Sequence, residues 1–209
     1  MIGVESEQNK SEKILYKEIS FGSFEEAAYK IIEIDEIEKT PRFLLLDLDG
    51  TLFPDIMKYP FISTLIRPTM RDETEKSLRL LANTFKDRLA IATNRNEWEK
   101  IFWNSADMLE YVEKFVSREH IFKSMQKQIP FFFPRKVERL VDYIAGCIFN
   151  LYGEDCRYIN LESIEDVSIV SLNRKSFLNA LGEKLYSKYD IKVKINNYVI
   201  KKKFGKNIS

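Results

Sequence analysis

Asp47 and Asp49 stand one residue apart at the end of the apolar run Phe43-Leu44-Leu45-Leu46, and Gly50-Thr51-Leu52 follows them. Four consecutive apolar residues read as a strand buried on both faces, as in a parallel sheet. Such a strand ends at the rim where open α/β sheets bind their ligands. Two carboxylates facing one site repel each other, and a cation or a proton must relieve them. Gly50 lets the chain turn sharply beyond them. A calcium loop starting at Asp47 would need Gly at position 52 and an acid at position 58, where Leu52 and Lys58 stand instead. The chemistry implied is that of a carboxylate pair working with a bound cation.

Other elements must bring partners to that strand end. Leu89-Ala90-Ile91-Ala92 is a second short apolar strand, closing on a hydroxyl and an amide, Thr93 and Asn94. A helix from Arg71, with Leu78, Leu81 and Phe85 as its stripe, lies between the two strands. Strand, helix, strand is the order of a βαβ unit, which sets Thr93 beside the aspartates. Ser23, three residues before Glu26, caps a helix running to about residue 38. Residues 1–22 read as a polar leader, and Phe53 to Pro68, with three prolines, as an ordered loop. Helices are expected over 98–111, 135–152 and 175–188, and strands over 157–161 and 167–172. Ile191 to Ile195 alternates as a half-exposed strand, Asn196-Asn197 signals a hairpin, and Tyr198 to Lys202 returns.

The whole of 23–209 is expected to form one α/β domain with a mainly parallel sheet and C-terminal antiparallel strands. A net charge of +1 gives no electrostatic reason for a nucleic-acid partner, and Lys201-Lys202-Lys203 reads as a solvated strand end. His120 reads as packing or surface. No apolar run approaches the roughly 20 residues of a membrane span. Cys147 and Cys156 show neither metal nor disulfide spacing, which with the charged N-terminus implies a cytoplasmic protein.

Asp47-Leu48-Asp49-Gly50-Thr51-Leu52 after its strand resembles motif I of the haloacid dehalogenase phosphohydrolases, and Thr93 resembles their motif II. The resemblance implies a Rossmann-like core with a small cap or none, carrying its motifs within 43–166. It implies that Asp47 attacks phosphorus to form an aspartyl-phosphate, while Asp49 acts as general acid and then base. Thr93 and Lys136, the motif III lysine, would stabilise the phosphoryl oxygens, with Gly50 and Asn94 also against the phosphate. Mg²⁺ would sit among Asp47, the Asp49 carbonyl and a downstream acid, Glu162 or Asp166, from the motif IV-like Glu162-Ser163-Ile164-Glu165-Asp166. A second arrangement places an α/β cap after motif II and makes Lys206 the motif III lysine.

The function implied is Mg²⁺-dependent hydrolysis of a phosphomonoester, on a small metabolite or a phosphoprotein. Arg67-Pro68 ahead of a helix is loosely similar to the capless phosphoprotein phosphatases. Because Glu162 departs from the usual Asp, the alternative is a degenerate domain of the same family, binding a phosphorylated ligand or a protein without catalysis.

Overall fold

The computed structural model describes residues 14–48, 51–53, 69–93, 104–122, 133–166 and 171–201. Among the described residues, six strands form one sheet: β1 (Ile14–Phe21), β2 (Arg42–Leu46), β3 (Leu89–Ala92), β4 (Ile121–Phe122), β5 (Tyr158–Asp166) and β6 (Lys192–Ile200). Their order is β1-β6-β5-β2-β3-β4, and every neighbouring pair runs parallel. Among the described residues, five α-helices cover the faces: α1 (Phe24–Ile37), α2 (Asp72–Phe85), α3 (Asn104–Val112), α4 (Phe133–Tyr152) and α5 (Ser171–Tyr189). The fold is α/β and Rossmann-like.

Helix placement explains the apolar runs. Leu44 and Leu46 of β2 pack with Ile31 of α1, Leu78, Leu81 and Phe85 of α2, and Val112 of α3. Phe43 and Leu45 point the other way, onto Leu140, Val141 and Ile144 of α4 and Leu178 and Leu181 of α5. All five residues of β2 and all four of β3 are buried, as strands sandwiched between helix layers must be. The α1 cap forms as its sequence implies: the Glu26 N–H donates to Ser23 Oγ, and Glu26 accepts from the Gly22 N–H at 3.0 Å. Gly182 lets α5 pass close to β1, since a Cβ there would lie 3.2 Å from Ile14 Cδ1.

Four expectations are corrected. Residues 14–21, read as part of a leader, form edge strand β1, paired with β6 over their full length. The expected C-terminal antiparallel pair is one continuous parallel strand, β6; Asn196 and Asn197 lie within it. Their amides donate to the buried Glu162 and Glu165 of β5, so they serve cross-strand hydrogen bonding in place of a turn. The strand expected over 157–161 continues to Asp166. Ser171 and Leu172, assigned to a further strand, open α5. His120 is buried against Tyr143, with ring centroids 5.0 Å apart. Because β3, β4, β5 and β6 all join one sheet, the described residues between Thr93 and Ile200 extend the core and build no separate cap. No described helix is long and apolar enough to cross a membrane.

Candidate active site at the carboxyl ends of the strands

The chain leaves β2 toward β3 on one side and later adds β5 on the other, so the strand order reverses between β2 and β5. The carboxyl ends of strands flanking such a switch point form the ligand crevice of open α/β sheets. Asp47 occupies that position. Its N–H continues the ladder to the Ile164 carbonyl at 3.2 Å, and its Oδ1 accepts from the Leu48 N–H at 2.9 Å, which orients the carboxylate. The side chain is half-buried.

Thr93 follows β3, fully buried, with its N–H donating to the Phe122 carbonyl at 3.0 Å. On β5, Leu46 stands opposite Ile164, which sets Glu165 level with Asp47 and Asp166 one step beyond. Asp166 is buried, and its N–H donates to Thr51 Oγ at 2.9 Å, tying the turn after β2 to the end of β5. The fold thus brings Asp47, Thr93 and Asp166 to adjacent strand ends.

Glu162 does not join them. It stands opposite Leu44, three residues before the level of Asp47. Its Oε1 accepts from Arg42 Nε at 2.9 Å and from Asn196 Nδ2 at 3.2 Å. At about 3.3 Å of rise per residue, it lies roughly 10 Å back along the strand from the level of Asp47. It is half of a buried ion pair inside the sheet. Lys136 lies in the first turn of α4, its side chain outside the described residues, as are Asp49, Gly50, Asn94 and Lys206. Among the described residues no set of three or more metal-binding side chains is arranged around one point, and Asp49 is not among those residues.

Three residues that sequence reasoning did not assign to the site line this end of the sheet. Glu165 is buried, accepts from Asn197 Nδ2, and has Arg174 Nε 4.0 Å from its Oε2. Burial pushes its carboxyl above the usual carboxylate range against the pull of Asn197 and Arg174, and the Asp47 charge adds to the rise. Asn197 also donates to Tyr16 Oη at 3.0 Å, bringing β1 into the network. The signal available for this group was the pair of asparagines inside an otherwise apolar strand.

A cleft of about 170 Å³ opens beside Thr51, walled by Phe24, Phe53 and Ile200 and edged by Glu25, Arg71 and Thr74. Thr74 Oγ donates to Glu25 Oε1 at 2.7 Å, and hydrogen bonds of this kind hold the Glu25 carboxyl below its usual range against burial.

Fold and site together define a Rossmann-like α/β protein with acids gathered at its topological switch point. Compared with protein-family models, with curated proteins and with solved structures, the chain finds no match in any of the three.

Proposed function

We propose that this chain is a phosphomonoester hydrolase of the haloacid dehalogenase type, dependent on Mg²⁺ and acting through an aspartyl-phosphate on Asp47. The observation that supports this best is the placement of Asp47, Thr93 and Asp166 at the carboxyl ends of the neighbouring strands β2, β3 and β5. The Asp47 carboxylate, oriented by the Leu48 N–H, attacks phosphorus, and the bond to the leaving oxygen breaks as Asp49 gives it a proton. Asp49 then takes a proton from the water that hydrolyses the acyl phosphate. The Thr93 hydroxyl donates to a phosphoryl oxygen, as does Lys136.

The donor set fits a hard cation: carboxylates on neighbouring strand ends repel one another, and binding a cation relieves them. Asp47, the Asp49 carbonyl and Asp166 would hold Mg²⁺, and Glu162 would not. When bound, Mg²⁺ draws charge from the phosphoryl oxygens. The substrate is a phosphorylated small metabolite or a phosphorylated side chain of a protein. The two free cysteines accord with a cytoplasmic setting.

Hydrolysis of p-nitrophenyl phosphate with Mg²⁺ and with EDTA tests the reading. Turnover that requires Mg²⁺ is expected. A folded sample that binds phosphate analogues without turning over any phosphomonoester would instead make this a binding domain.

A further inference from the structure

Arg174 is a buried cation in the first turns of α5, where a helix dipole disfavours positive charge. Its hydrogen bonds account for its position. Nη2 and Nε donate to Ser163 Oγ on β5 at 3.1 and 3.4 Å, while Nη1 reaches the Ala92 carbonyl on β3 at 3.4 Å. Between β5 and β3 lies β2, so the guanidinium crosses β2. Register fixes where it crosses. Leu45 pairs with Ser163, and Leu46 pairs with Ile91, which puts Ala92 level with Asp47. Phe177 of α5 packs into the layer that covers Leu45, and the Arg174 guanidinium lies 5.5 Å from its ring centre. Glu165 is a further partner on β5, its Oε2 lying 4.0 Å from Arg174 Nε while Asn197 Nδ2 donates to its Oε1.

We propose that Arg174 is the positioning residue of the site: its guanidinium ties the carboxyl ends of β5 and β3 together across β2 and supplies the fixed positive charge beside the Asp47 and Glu165 carboxylates. The inference rests on the hydrolase reading for its catalytic consequence, but its electrostatic consequence stands apart from turnover. A charge built into this position lowers the negative potential that a phosphate dianion must enter, and by the same interaction weakens the hold of the carboxylates on a divalent cation.

The test uses the full chain with Arg174→Met and Arg174→Lys, and Mn²⁺ as the probe in calorimetric titrations. R174M is expected to bind Mn²⁺ about tenfold more tightly than the unaltered protein, and R174K within about twofold of it. With p-nitrophenyl phosphate and Mg²⁺, kcat of R174M is expected to fall about a hundredfold with KM little changed, and R174K to recover a large part of that loss. Should R174M not fold, Arg174→Gln replaces it, keeping a donor for Ser163 without the charge.

Equal Mn²⁺ affinity in the unaltered and uncharged proteins, or no Mn²⁺ binding in either, would overturn the proposal. So would R174K and R174M matching each other in affinity. A protein without phosphatase activity whose Mn²⁺ affinity still follows the charge at position 174 would sink the hydrolase reading and leave this one standing.

Discussion

Arg42 Nε donates to Glu162 Oε1 across 2.9 Å, and both side chains are 1% exposed. This pair joins the start of β2 to the middle of β5 beneath the strand ends that carry Asp47 and Asp166. Arg42 is further held by the Ile34 carbonyl at 3.1 Å and by Glu38. Glu162 is therefore part of the frame under the candidate site.

Glu162→Ala leaves a buried guanidinium with fewer acceptors and is expected to destabilise the fold by about 3–5 kcal/mol. The Mg²⁺ concentration giving half-maximal hydrolysis should stay unchanged in the protein that remains folded. Urea unfolding paired with Mg²⁺ titration checks both. A folded variant needing tenfold more Mg²⁺ would return Glu162 to the metal site.

Glu165 supplies a pH dependence of definite sign. Burial is the main cause of its raised carboxyl pKa, so the folded state holds the proton more tightly than the unfolded chain. Its contribution to stability is full below the ordinary glutamate value of about 4.5 and is lost as pH rises through the folded value. Glu165→Gln keeps an acceptor for Asn197 and removes that loss. The variant's denaturation midpoint should exceed that of the unaltered protein at pH 8, and the gap should close near pH 4. A gap that is constant with pH contradicts this.

Strand β1 covers the edge of β6, and Tyr16 accepts from Asn197 there. A chain lacking residues 1–21 exposes the backbone donors and acceptors of β6, a ready template for association. It should unfold at lower urea and elute as larger species on size exclusion. A monomer of unchanged midpoint would show that β1 contributes little.

Thr93→Val keeps shape and removes the hydroxyl. On the proposed mechanism this removes one donor to a developing phosphoryl charge and is expected to lower kcat by about a hundredfold, whereas Thr93→Ser should retain most activity. Steady-state kinetics with the thermal midpoint measured alongside separates this from a packing defect.

The parts of the fold legible in the sequence are those whose burial leaves a simple pattern. Phe43–Leu46 and Leu89–Ala92 read as interior strands because helices cover both faces, and α4 kept its period because Val137, Leu140, Val141, Ile144 and Ile148 all face the sheet. The elements misread are those whose polar residues are satisfied across strands. Asn196 and Asn197 resembled a turn because their partners, Glu162 and Glu165, lie on another strand. Glu162 resembled a metal ligand for the same reason, its partner Arg42 being 120 residues away. β1 was missed because an edge strand exposes half its side chains and carries little hydrophobic signal. The strand-end positions of Asp47 and Thr93 were legible because each directly follows an unbroken apolar run.

The most direct measurement is to quench the protein during turnover of p-nitrophenyl phosphate with Mg²⁺, reduce with borohydride and map the modified residue. The expected result is one acyl phosphate, on Asp47, absent from Asp47→Asn, which also fails to turn over substrate. Robust turnover by Asp47→Asn, or a phosphoryl group trapped elsewhere, would contradict the assignment of Asp47 as the nucleophile.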